Sequence, residues 1–154
     1  VTWLGSGEVL FGISVVLFIA FMKKAAARAG ALLFAGLVVV YYVTFFLKRF
    51  IARLRPFISL PDVHLLVAAE KSFSFPSTHA AFAFMAAVVL SGFFSRWRAL
   101  FFGTAAVVGF SRIYIGVHYV SDVIAGAVIG ALTGYVLLWI ARHGSGSRHA
   151  GKYV

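Results

Sequence analysis

Cysteine is absent from the 154 residues, so neither a disulfide framework nor thiolate chemistry is available to this chain. Acidic residues are nearly absent too, with four carboxylates against fourteen lysines and arginines and a formal net charge of +10. Those four, Glu8, Asp62, Glu70 and Asp122, are too scattered to supply the clustered carboxylates that two-metal hydrolysis needs. No metal site and no cofactor is therefore expected. Charge of either sign is scarce: 12% of residues are charged and 62% are hydrophobic, too apolar for a domain whose surface must face water. The basic residues form no arm or continuous face but sit in short clusters between apolar runs, which argues against nucleic acid as a partner. No basic region precedes the first apolar run, and that run is long enough to stay as an anchor, so a cleavable signal peptide is not expected there.

What the chain has in quantity is apolar sequence of membrane-crossing length. Crossing a hydrocarbon core about 30 Å thick takes roughly 20 apolar residues in a helix. Stretches near that length recur at about Leu4 to Met22, Ala29 to Leu47, Ser77 to Phe94, Ala99 to Val117 and Tyr119 to Ile140. The expectation is an all-α, polytopic membrane bundle of about five helices forming one domain over residues 1–154. Its tail from Gly144 to Val154, rich in glycine, serine and basic residues, is expected to be mobile. By alternation, Lys23, Lys24 and Arg28, then Arg96 and Arg98, then Arg142, Arg148 and Lys152 share one side. The excess of positive charge makes that side cytoplasmic and leaves the segment from Lys48 to Pro76 and the turn near Gly116 outside.

All four carboxylates fall on or near this outer side, yet it still carries Lys48, Arg49, Arg53, Arg55, Lys71 and Arg112. Either these residues reach toward anionic headgroups or they serve an anionic substrate. The segment from Lys48 to Pro76 is too long for a simple turn. Its Leu65, Leu66, Val67 and Phe73 suggest a piece lying in the headgroup plane beside a site.

Three polar patterns stand at outer ends of spans: Lys48 with Arg55 and Pro56, then Pro76-Ser77-Thr78-His79, then Ser111-Arg112 with His118 and Asp122. The expected topology gathers them in one layer. His118 and Asp122 are four apart, so at the start of a helix they share a face, and the carboxylate orients one ring nitrogen while the other is left as a nucleophile. A structural His–Asp bond capping the helix is the alternative, although ionisable groups in membrane segments are usually functional. Pro76-Ser77 reads as a helix start with proline in the first turn and free N–H groups that bind anions. His79, one turn in, is placed to donate a proton to the departing oxygen of a phosphate ester. Lys48, Arg55 and Arg112 supply fixed positive charge for a phosphoryl transition state, in place of metal ions.

These residues resemble the type 2 phosphatidic acid phosphatase superfamily, which includes bacterial lipid phosphatases and, more distantly, vanadium haloperoxidases. The family's first motif, a lysine followed after six residues by Arg-Pro, is Lys48 through Arg55-Pro56. The third, Ser-Arg, five residues, His, three residues, Asp, is Ser111-Arg112 through His118 to Asp122. The second, usually Pro-Ser-Gly-His, reads Pro76-Ser77-Thr78-His79, with threonine in place of glycine; the β-branched side chain bears on the width of the pocket and on the helix entry, but it is compatible with a helical first turn whose N–H groups stay available. The resemblance implies that His118 forms a phosphohistidine, that Asp122 orients it and that His79 protonates the leaving group. It also implies that Lys48, Arg55, Ser77, Thr78 and Arg112 bind the phosphate. The implied activity is metal-independent removal of phosphate from a lipid, on the outer face of a bacterial inner membrane. Family substrates include undecaprenyl diphosphate, phosphatidylglycerol phosphate, phosphatidic acid and lipid A, of which the first two are the expected ones here.

Other classes fit less well. A transporter or channel would carry charge through the other half of its spans, and a catalytically dead scaffold would not keep the catalytic positions intact, the change at Thr78 being a thin reason for one. Gly126, Ala127, Gly130 and Gly134 on the last span leave two packings open, within one subunit or between two, with internal packing expected.

Overall fold

The computed structural model describes residues 24–60 and 72–143. Within them the chain is all-helical, with no strand. Helix α1 is Lys24–Ile51, α2 is the single turn Pro56–Ser59, α3 is Thr78–Phe93, α4 is Arg98–Tyr114 and α5 is Val120–His143, with a short 3-10 turn Ser95–Trp97 between α3 and α4.

α3 is the axis of the bundle. Its sequence is apolar on every side, and ten of its 16 residues are buried, so it has to be covered all round. α1 covers it with Leu33, Leu37 and Val40 against Ala81, Phe82, Met85, Ala86 and Val89. α4 covers a second side through Ala105 and Val108 against Ala83 and Ala87. α5 takes the third side, and there the backbones nearly touch. A Cβ on Gly126 would meet the carbonyl oxygen of Ser77, one on Gly130 that of Ala81, and one on Gly134 the side chain of Val88. The glycine row is therefore used inside the subunit.

Changing Gly130 to alanine is expected to push α5 off α3 and to cost about 1–3 kcal/mol of stability, because the obstacle is backbone and cannot rotate away. Gly103→Ala is the matched control, since nothing lies within 4 Å of its Cβ position. Thermal unfolding in detergent of the two variants checks this.

The outer faces of the bundle are apolar as well. Phe46, Phe50, Phe110, Tyr114, Ile124, Leu132 and Trp139 are all exposed. Water would not tolerate such a continuous apolar surface, whereas hydrocarbon would. Ala27–Ser59 and Val120–His143 are long and apolar enough to cross a membrane. They correspond to the second and fifth expected spans. The third and fourth correspond to helices of 16 and 17 residues, about 24–26 Å long at 1.5 Å per residue. The first expected span, Leu4 to Met22, lies outside the described residues. So do Glu8, Asp62, Glu70, Lys71, the Leu65 to Val67 stretch and the tail from Gly144.

Several boundaries differ from expectation. α1 runs on to Ile51, so Lys48 is in its last turn and not just beyond it. Pro76 does not open α3. It follows a cis peptide bond after Phe75, and Ser77 is the N-cap, its hydroxyl accepting from the N–H of Ala80 at 3.4 Å. A serine hydroxyl at that place satisfies a first-turn donor, which proline cannot do.

Candidate functional site

The three polar patterns do meet, at the end of the bundle where α1 ends, α3 and α5 begin, and α4 ends. Ala52 adopts a left-handed φ of 48°, and its N–H is held by the carbonyl of Lys48 at 2.9 Å, so the helix stops there and the chain turns inward. Arg53 and Arg55 then follow with one residue between them, and both guanidiniums enter the site. Between α4 and α5 the connection is short. Gly116, at φ 77°, makes a turn that only glycine adopts easily, and the carbonyl of Arg112 accepts from the N–H groups of both Val117 and His118 at 3.3 Å. That loop aims the imidazole.

His118 is 3% exposed and precedes α5 by two residues, so the expectation that it shares a helix face with Asp122 needs correcting. Proximity comes from a turn instead. Asp122, in the first turn of α5, accepts from the backbone N–H of Tyr119 at 3.0 Å, which folds the segment back so that His118 Nδ1 lies 3.5 Å from Asp122 Oδ2. The other ring nitrogen, Nε2, lies 3.4 Å from Arg55 Nη1. A guanidinium carries only donors, so the nitrogen facing it is the one with the lone pair, and the ring proton belongs on Nδ1, beside the carboxylate.

Asp122 is fully buried and held by more than histidine. Arg53 Nη1 donates to Oδ1 at 2.7 Å, and the hydroxyl of Ser74 donates to Oδ2 at 2.5 Å while standing 3.4 Å from His118 Nδ1. Arg53 also donates to Ser121 Oγ at 2.7 Å and stacks on the ring of Tyr119, 3.9 Å from its centroid. Sequence reading named Arg53 only as an outer-side cation and did not single out Ser74. The available signal was positional: each stands two residues before a motif residue, Arg55 or Pro76, and alternate residues of an extended segment share a side.

Arg55 is 1% exposed, with Nε and Nη2 on the carbonyl and hydroxyl of Ser72, at 2.7 and 2.9 Å, and Nη1 on the carbonyl of Val117 at 2.9 Å. Lys48 Nζ reaches the carbonyl of Phe73 at 2.6 Å and that of Ser74 at 3.3 Å. Arg112, in the last turn of α4, is buried. His79 is half-buried in the first turn of α3.

Not every expected anion contact is open. The N–H of Ser77 is taken by the backbone carbonyl of Asp122 at 2.9 Å, which ties α3 to α5 at the site. Thr78 does not disturb the helix entry. Its hydroxyl donates sideways to Thr44 Oγ1 on α1 at 3.2 Å, and Thr44 in turn donates to the carbonyl of Tyr41 at 3.2 Å, so the extra side chain joins two helices. Beside the site, a cavity of about 510 Å³ is lined by Phe45, Lys48, Arg49, Ser72 and Phe73. It puts cationic groups next to aromatic walls.

Comparison with known proteins agrees with this arrangement. A family model described as "PAP2 superfamily" matches residues 29–144. The chain is 39% identical over 87 residues to the bacitracin transport permease protein BcrC of Bacillus licheniformis, covering 56% of this chain and 43% of that protein. It is 34% identical over 116 residues to the undecaprenyl-diphosphatase BcrC of Bacillus subtilis, covering 74% and 56%. Among solved structures, a transmembrane PAP2-type phosphatidylglycerolphosphate phosphatase from Bacillus subtilis superposes with a TM-score of 0.74 at 30% identity, over 92% of this chain and 73% of that one. The chain spans about half the length of the curated relatives it matches. A family match that contains all three polar patterns, on a bundle with the same helical architecture, leaves one conclusion: the chain belongs to the PAP2 superfamily.

Proposed function

We propose that this chain removes phosphate from lipid phosphates or diphosphates through a phosphohistidine on His118. The observation that carries the reading is the setting of that imidazole, with Nδ1 toward Asp122 and the lone pair of Nε2 toward Arg55. A substrate phosphate drawn to Arg55 arrives where that lone pair points. Nε2 attacks phosphorus, the bond from phosphorus to the lipid oxygen breaks, and His79 gives its proton to the departing oxygen. Water then attacks the phosphorus of the phosphohistidine, His79 takes the proton back, and inorganic phosphate leaves. With a diphosphate the departing group is the lipid monophosphate.

Arg55, Lys48 and Arg112 stabilise charge on the equatorial oxygens, and Ser77 and Thr78 stand beside them where α3 begins. The guanidinium and ammonium donors now engaged with carbonyls of residues 72–74 and 117 would exchange those partners for phosphate oxygens. Asp122 stabilises the imidazolium character that develops during attack, and Arg53 and Ser74 keep the carboxylate fixed. In this reading the whole chain, residues 1–154, is one membrane domain of five transmembrane helices. Its site faces outward from a bacterial inner membrane. Support comes from the arginine-rich opposite end, from the apolar outer surface, and from relatives named as phosphatases of membrane lipids. The cavity beside Lys48 gives a lipid a way in from the side.

Undecaprenyl diphosphate and phosphatidylglycerol phosphate are the substrates we infer, the former from the relative named undecaprenyl-diphosphatase and the latter from the superposed phosphatase. Phosphate release in detergent on these two lipids, phosphatidic acid and lipid A ranks them. Full activity is expected in EDTA, with inhibition by vanadate, which adopts the five-coordinate geometry of the transition state. Loss of all activity in EDTA with recovery on magnesium would contradict the proposal. A relative's name as a bacitracin transport permease favours a second reading, membrane transport. Flux into proteoliposomes that persists when phosphate release is blocked by vanadate would support it.

A further inference from the structure

A further cavity lies away from His79 and His118. About 570 Å³ in volume, it opens at the other end of the bundle, among the ends of α3 and α5 and the start of α4, and Ser91, Ser95, Arg98, Trp139, Arg142 and His143 line it. The length of α3, about 24 Å at 1.5 Å per residue, separates it from the site described above.

Its chemistry is that of an anion site. Arg98 and Arg142 both line it, and among the described residues neither has a hydrogen bond or ion pair. Among the described residues no carboxylate compensates them, the one acidic residue there being Asp122 at the far end. Ser91 contributes a second, independent sign. It is 9% exposed, and its Oγ is buried with no hydrogen-bond partner, although it sits on the cavity wall. A hydroxyl buried without a partner is costly unless a ligand completes it. Helix α4 starts at Arg98, whose backbone N–H is already bonded to the Ser95 carbonyl of the preceding 3-10 turn, so it is the side chains at this end that are left to meet a ligand.

The surroundings say what carries the anion. A second cavity of about 500 Å³ shares Gly92, Leu138 and Arg142 with the first and adds Arg28, Leu32 and Phe93, so an apolar wall continues from the cationic one. Trp97, Tyr135 and Trp139 are exposed around it, as aromatic residues are where a bilayer meets water. His143 leans on Trp139, with ring centroids 4.8 Å apart, and its Nδ1 is bonded to the Trp139 carbonyl at 2.9 Å. No described carboxylate orients it, so the cavity has the means to hold a phosphate group but not the paired groups that oriented His118.

We propose that this cavity is a second, non-catalytic phosphate-binding site, occupied by the headgroup of an acidic phospholipid from the leaflet opposite the histidine site. The side chains of Arg98 and Arg142 and the Ser91 hydroxyl grip the phosphate, and an acyl chain follows the Leu32–Phe93–Leu138 wall.

Native mass spectrometry of the detergent-purified chain with equal amounts of phosphatidylglycerol and phosphatidylcholine tests this. Wild type is expected to retain one phosphatidylglycerol in preference to phosphatidylcholine. Arg98→Gln/Arg142→Gln is expected to lose that preference by at least about tenfold, since each arginine contributes roughly 1 kcal/mol toward an anionic headgroup. Ser91→Ala is expected to lose part of it. Phosphate release at the other end is measured on every variant as the check that it is folded. Millimolar inorganic phosphate that strips the lipid from wild type assigns the cavity to the free anion, and persistence of the lipid assigns it to the phospholipid. Equal retention of the two lipids by wild type, or equal retention of phosphatidylglycerol by wild type and the folded double variant, overturns the proposal.

Discussion

His118→Asn is expected to lower kcat for lipid phosphate hydrolysis by at least about 10³-fold, because removing a nucleophile removes the reaction path and not merely a contact. Asparagine keeps a polar side chain of similar reach, so the loop built on the Arg112 carbonyl should persist. His118 is 3% exposed, and a smaller apolar residue would leave Ser74 and Arg55 facing a void. Binding is expected to survive: Lys48, Arg55 and Arg112 remain, and KM should change little beside kcat. A fall in kcat of only a few-fold would mean that phosphorus is attacked by something other than this imidazole. An unchanged unfolding temperature is the control that keeps the result interpretable.

The second large effect is expected at Arg55. Arg55→Lys keeps a positive charge but loses the planar fork, which now spans the Ser72 carbonyl and hydroxyl on one side and the Val117 carbonyl and His118 on the other. Lysine cannot face the nucleophile and hold both chain segments at once. A drop in kcat of about 10²–10³-fold is expected, the usual effect of removing one donor that acts on developing charge. Unlike His118→Asn, this variant should also unfold at lower temperature, because the buried carbonyl of Val117 loses its donor. Steady-state kinetics on the best lipid, together with a thermal melt, separates the two contributions. Wild-type kcat in Arg55→Lys would show that its role is tethering alone.

Much of this arrangement was legible in the chain before any fold was known. The apolar runs gave the helices Lys24–Ile51, Thr78–Phe93, Arg98–Tyr114 and Val120–His143 to within a few residues, since long apolar periods leave few alternatives. The motif spacings gave the cluster of Lys48, Arg55, Ser77, Thr78, His79, Arg112, His118 and Asp122 at one end. Local geometry was less legible. His118 was expected at the start of the helix, sharing a face with Asp122, but stands two residues before it, because a four-residue spacing is equally served by a turn in which Asp122 caps the N–H of Tyr119. Proline was expected to open α3, but a serine cap does so, and the two readings differ by a single residue of register.

The support around Asp122 was hidden for a different reason. Arg53 and Ser74 reach it from residues 69 and 48 positions earlier in the chain, and a single sequence shows which residues are polar but not which of them pair. Thr78 is the same kind of case. Its fit to a helical first turn was legible, but the partner of its hydroxyl, Thr44 on a different helix, was not. Pairings made across helices are decided by packing, and packing is decided by glycines such as Gly126 and Gly130 that carry no chemical signal of their own.

The most direct test is to look for the covalent intermediate. The chain is mixed with labelled lipid phosphate for a fraction of a turnover, quenched in alkali, where phosphohistidine survives, and mapped by peptide mass spectrometry. The account requires the label on His118 in wild type and its absence in His118→Asn. Turnover with label on no histidine, or label on His79 in place of His118, would contradict it.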